Sequence, residues 1–116
     1  MATYTKQILS GSTDGLPIKV VATSTPGTTI HTAHATAKDE VYLWVTNTDS
    51  SDRTMTVEWG SATDPDGLLC KTLTVPANSP PTQFAFGQPL TNSKIVKIFA
   101  SSANVLTITG FVNRIS

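Results

Sequence analysis

Hydrophobic and polar residues alternate with a period of two along most of this chain, and polar clusters interrupt the alternation about every ten residues. The clearest stretch is 41–60, VYLWVTNTDSSDRTMTVEWG. Val41 to Val45 is β-branched and aromatic, a composition that fits a pleated surface and suits an isolated helix poorly. Asn47, Thr48, Asp49, Ser50, Ser51 and Asp52 supply Asx and hydroxyl side chains that bond nearby backbone and tolerate tight bends. From Arg53 to Trp59 the alternation is strict, with Arg53, Met55, Val57 and Trp59 on one face and Thr54, Thr56 and Glu58 on the other. Gly60 ends it. The stretch predicts two strands joined by a polar turn.

The same grammar predicts strands over Tyr4 to Leu9, Pro17 to Thr23, and, more weakly, Thr28 to His34. Ser24-Thr25-Pro26-Gly27 between them reads as a type II turn, because proline presets the second position and glycine supplies the third. Further strands follow over Leu68 to Val75, a short one over Thr82 to Phe86, then Lys94 to Ala100 and Val105 to Ile115. Pro76 to Pro81 is a stiff connector that lacks backbone donors, and Gly87 to Asn92 reads as a turn. Gly110 suggests a bulge or bend in the closing strand. The expectation is an all-β fold: a single β-sandwich of jelly-roll or Greek-key type with about 8–9 antiparallel strands and no helix. Residues 1–15 form an N-terminal arm or first strand, and 16–116 the sandwich domain.

Two segments are apolar on both faces. VYLWV sets Val41, Leu43 and Val45 against Tyr42 and Trp44, and KIVKIFA sets Ile95 and Phe99 against Val96 and Ile98. A sandwich strand buries one face and shows the other, so a second apolar face asks for a second partner. Tyr42, Trp44, Val96 and Ile98 are therefore the candidate subunit or partner interface.

Length and composition narrow the field. One hundred and sixteen residues make a single domain, and the formal net charge of +0 gives no positive field for nucleic acid or anionic lipid. No apolar run approaches the roughly 20 residues that span a bilayer, and residues 1–10 lack the features of a signal peptide. Cys70, the single cysteine, excludes an internal disulfide and reads as a small buried hydrophobe, consistent with folding in a reducing cytoplasm.

Candidate chemistry is sparse. His31 and His34, three apart in an extended strand, point to opposite faces and do not converge on a metal. Asp64-Pro65-Asp66-Gly67 and Asp49/Asp52 match ordinary turns better than a calcium loop. Glu40 and Glu58 read as surface carboxylates without a groove, and there is no G-x-S-x-G elbow or glycine-rich phosphate loop. The expectation is a protein without enzymatic activity, catalytic residues, metal or cofactor. Tyr42, Trp44 and Trp59 are too few for a sugar-stacking platform once one or more belongs to the core.

YLWVTNT, TVEWG, TVPA at Thr74 to Ala77, PLTN at Pro89 to Asn92 and the closing ANVLTITGFVNRI together resemble small structural proteins of tailed-bacteriophage virions. The resemblance covers roughly the last two-thirds of the chain and is strongest to head-associated decoration, or cement, proteins. It implies a virion protein made in the host cytoplasm that binds the outer surface of the assembled capsid and stabilises it. The implied partners are the major capsid protein lattice and further copies of the chain, a homotrimer in particular. The alternative it leaves open is a tail or fibre module that binds a host receptor or carbohydrate.

Overall fold

The computed structural model describes residues 2–116. Nine strands form: β1 (Tyr4–Ile8), β2 (Ile18–Lys19), β3 (Thr28–Thr32), β4 (Lys38–Asn47), β5 (Arg53–Trp59), β6 (Leu68–Val75), β7 (Thr82–Leu90), β8 (Ile95–Ala100) and β9 (Leu106–Ile115). Among the described residues there is no helix. One sheet runs β1-β9-β4-β7, with β2 beside β9; the other runs β3-β8-β5-β6. All pairings are antiparallel.

The order is that of a hairpin rolled up on itself. β5 pairs with β6, β4 with β7, β3 with β8, and β1 and β2 with β9, so the chain is a nested series around the β5–β6 turn. Rolling the series closes two more ladders, β4 against β9 and β5 against β8. With β1 and β2 sharing one position beside β9, the nine strands fill the eight positions of a jelly roll in two sheets. Its core is aliphatic: Val41, Leu43 and Val45 from β4, Ile108 and Val112 from β9, Met55 and Val57 from β5, and Val96 and Ile98 from β8.

Four expectations are corrected. β7 runs on to Leu90 instead of turning at Gly87, because Gln88, Pro89 and Leu90 pair with Val41, Glu40 and Asp39, and a proline is tolerated on an edge strand. Gly110 is no bulge: the β4–β9 register passes through it unbroken, and a Cβ there would lie 2.0 Å from the Tyr42 carbonyl oxygen. Gly27 does not take the positive φ of a type II turn; its amide donates to Glu58 at 2.7 Å and its Cα is pressed against the Ile98 backbone. Glu58 itself is only 3% exposed, because the loop carrying Thr25 and Gly27 reaches over β8 and donates to both carboxylate oxygens.

Both ends of the sandwich are closed by polar side chains of β4. Its inward positions read Asp39, Val41, Leu43, Val45, Asn47, and all five are buried. Asp39 receives His31 Nε2 at 2.8 Å across the sheets, Arg114 at 2.8 and 3.0 Å, and the His34 amide at 3.2 Å. The Ser10 amide donates to His31 Nδ1 at 3.0 Å, which fixes the ring proton on Nε2, facing Asp39. At the other end, Asn47 donates to the carbonyls of Ser51 and Val75, each at 3.0 Å, and accepts the Asp49 amide.

Burial alone would raise the Asp39 carboxyl, but the hydrogen bonds from Arg114, His31 and the His34 amide outweigh it and hold the group below its ordinary value. A carboxyl lowered in the folded state adds stability above the unfolded value, near 3.8, and loses it as pH falls through the folded value. Asp39→Ala, which strands Arg114 and His31, is expected to cost about 3–5 kcal/mol in urea unfolding at pH 7. Asp39→Asn is expected to flatten the loss of stability between pH 5 and pH 2 relative to the unsubstituted protein.

Candidate functional site

The outer face of the β1-β9-β4-β7 sheet carries a cross-strand row of large apolar side chains. Register sets Ile8 beside Phe111, Phe111 beside Tyr42, and Tyr42 beside Phe86, one residue from each of the four strands. The next row holds Trp44, flanked by Thr109 and Gln83. On the other side a polar row follows, with Lys6, Asn113 and Glu40, in which Asn113 donates to Glu40 at 3.0 Å. This is the sheet geometry that lets directly opposed side chains touch.

The rings are prearranged. Tyr42 stacks on Phe111 with centroids 4.8 Å apart and planes 16° apart, and Trp44 lies 6.2 Å from Phe111 at 27°. Lys6 Nζ sits 4.8 Å from the Phe111 centroid, on the β1 side, opposite Tyr42. Tyr42 leans the other way over Gly87, where a Cβ would meet the phenol at 2.8 Å. Phe111 is thus packed by both Tyr42 and Lys6. Phe86, 63% exposed, and Ile8, 54% exposed, stand at the two ends of the array.

Two of the sequence-derived interface residues lie here and two do not. Tyr42 and Trp44 are outward and half-buried. Val96 and Ile98 are fully buried in the core, so the two faces of β8 are the reverse of the expectation: Ile95, Lys97 and Phe99 face out. Phe111, Phe86, Ile8 and Lys6 complete the surface and were not foreseen. Period two in YTKQI and in TITGFVNRI carries the signal, but it does not say which strands become neighbours.

Other chemically capable groups are already engaged. Ser10, His31 and Asp39 are the residue types of a hydrolytic triad, but Ser10 Oγ accepts the Thr32 amide at 2.6 Å and only the Ser10 amide meets the imidazole. His34 is separate, its Nδ1 accepting the amides of Thr36 and Ala37. Burial pushes the Cys70 thiol up, against an opposing hydrogen bond from Val57 backbone, which disfavours the nucleophilic thiolate. Two open clefts of about 300 and 330 Å³ flank Glu58, whose oxygens are taken by Thr25 and Gly27. Among the described residues no group of three or more histidine, cysteine or acidic side chains is placed to hold a metal.

No protein-family model, curated protein or solved structure matches the chain.

The array separates two kinds of substitution. Phe86→Ser, at the exposed end of the row, is expected to change unfolding free energy by less than about 0.5 kcal/mol. Gly87→Ala, next in sequence, puts a methyl into the Tyr42 ring at φ +89° and is expected to cost about 1–3 kcal/mol in urea denaturation.

Proposed function

We propose that this protein is a non-enzymatic structural component of a tailed-phage virion that binds the outer surface of the assembled capsid and stabilises it, and that the aromatic face of the β1-β9-β4-β7 sheet is the surface it binds with. The observation that carries the reading is the row Ile8, Phe111, Tyr42, Phe86 with Trp44 beside it, an apolar patch on a face that a monomeric sandwich would leave polar. Rings locked by stacking lose little side-chain freedom on docking, which favours a rigid protein surface as partner. On a repeated lattice, modest affinity at each such site is multiplied by avidity. The fold alone does not decide this, since jelly rolls serve many functions.

The second reading is a tail or fibre module that binds a receptor or carbohydrate. Aromatic side chains on a sheet face favour it, but sugar stacking needs a free ring face, and Phe111 at the centre of the row is already stacked by Tyr42 and overlain by Lys6. The capsid reading is therefore preferred.

Antibody against the purified chain, applied to virions of the phage that encodes it, is expected to decorate the head periphery in electron micrographs. Label confined to the tail tip would establish the second reading, and virions without label would overturn both.

A further inference from the structure

The two sheets have four edges, β1 with the short β2, β7, β3 and β6, and the last three are blunted. β7 carries two register shifts against β4, Pro89, and a Gln88 side chain that accepts the Phe86 amide at 2.7 Å. β3 is bulged between Thr29 and His31 and covered by Ser10 and Gly11, which bond Thr32 and Ile30. β6 is irregular against β5 and has Thr72 at φ +53°. Such devices keep sheet edges from pairing with other chains.

β1 has none of them. Its register with β9 is continuous from Tyr4–Ile115 to Ile8–Phe111, without proline or bulge. Thr3 and Ser116 exchange both backbone hydrogen bonds, so by antiparallel alternation Thr5 and Gln7 also bond β9, while the amides and carbonyls of Tyr4, Lys6 and Ile8 point away from it. These groups have no partner among the described residues. The strand is also apolar: Tyr4 and Ile8, at 66% and 54% exposed, are two of the six large hydrophobic side chains exposed among the described residues. Lys6, the charge that would ordinarily guard such a strand, is folded over Phe111 on the sheet face.

We infer that β1 is a self-association edge, which pairs antiparallel with β1 of a second copy about a two-fold axis. Lys6 selects the register. Centring the axis on Lys6 would oppose it to Lys6 of the partner subunit, and like charges directly opposed repel. Centring it on Thr5 instead opposes Tyr4 to Lys6 of the partner subunit, and each such pair exchanges two backbone hydrogen bonds. The product is one continuous sheet across the dimer, with the two aromatic rows side by side on one face. The inference stands whatever that face binds, and it makes the species a dimer rather than the trimer implied by the sequence resemblance.

Light scattering on the full chain across a hundredfold dilution is expected to show a mass of twice 12.3 kDa that falls towards 12.3 kDa on dilution. Lys6→Pro is expected to give a monomer, because the Lys6 amide faces outward and its loss leaves the β1–β9 ladder intact. Thr5→Cys is expected to cross-link into a disulfide dimer on mild oxidation and Lys6→Cys to do so poorly, since only the Thr5-centred register brings Thr5 to its own counterpart. If Lys6→Pro fails to fold, the cysteine pair and the unsubstituted mass decide. A monomer at every concentration, a trimer, a dimer that survives Lys6→Pro in a folded protein, or preferential cross-linking at Lys6→Cys would each overturn the inference.

Discussion

The inner face of β4 is the constraint on which the rest of this structure depends. Three aliphatic residues at its centre, Val41, Leu43 and Val45, fill the space between the sheets, and Asp39 and Asn47 at its ends bond across that space. Aliphatic contact is non-directional and would tolerate sliding of one sheet over the other. Hydrogen bonds to buried groups do not, because an unpaired carboxylate or amide in the interior is costly. With a polar anchor at each end, the sheets have one alignment in which both anchors are satisfied. The Asp39 anchor also gathers the chain's far ends: His31 brings Ser10 with it, and Arg114 brings the C-terminal strand.

Fixing the inner face fixes the outer one. Side chains in a strand alternate, so a β4 held by Asp39 through Asn47 must turn Glu40, Tyr42, Trp44 and Thr46 outward. The β9 ladder then places Phe111 against Tyr42, and close approach at Gly110 brings the two backbones together. The apolar surface is therefore held by the core beneath it, which would spare the proposed docking face the cost of being ordered on binding.

Much of this was legible in the alternation. Tyr42 and Trp44 stood out as a second apolar face opposite Val41, Leu43 and Val45, and each of the nine strands falls within or across a stretch that the sequence predicts, although β2 keeps only Ile18–Lys19 of Pro17 to Thr23. β8 misled because Ile95 and Phe99 are as apolar as Val96 and Ile98, so hydropathy could not choose which face turned inward. β7 was cut short because Gly87-Gln88-Pro89 has turn composition, which the ladder to β4 overrides. The Asp39 network was hidden for a different reason. Arg114 is 75 residues from Asp39, and only the rolled topology brings them together. Glu58 looked like a surface charge because nothing in its own strand shows that Thr25 and Gly27 cover it.

The account's central claim is a division of labour in β4, the inner face holding the fold and the outer face, as proposed, binding the virion. Trp44→Ala tests it most directly, with the melting temperature and cosedimentation with phage heads measured on the same preparation. The claim predicts a folded protein that melts within a few degrees of the unsubstituted one and no longer cosediments. Loss of the fold, on the scale of the 3–5 kcal/mol expected when a core tryptophan is truncated, would contradict it. So would undiminished binding.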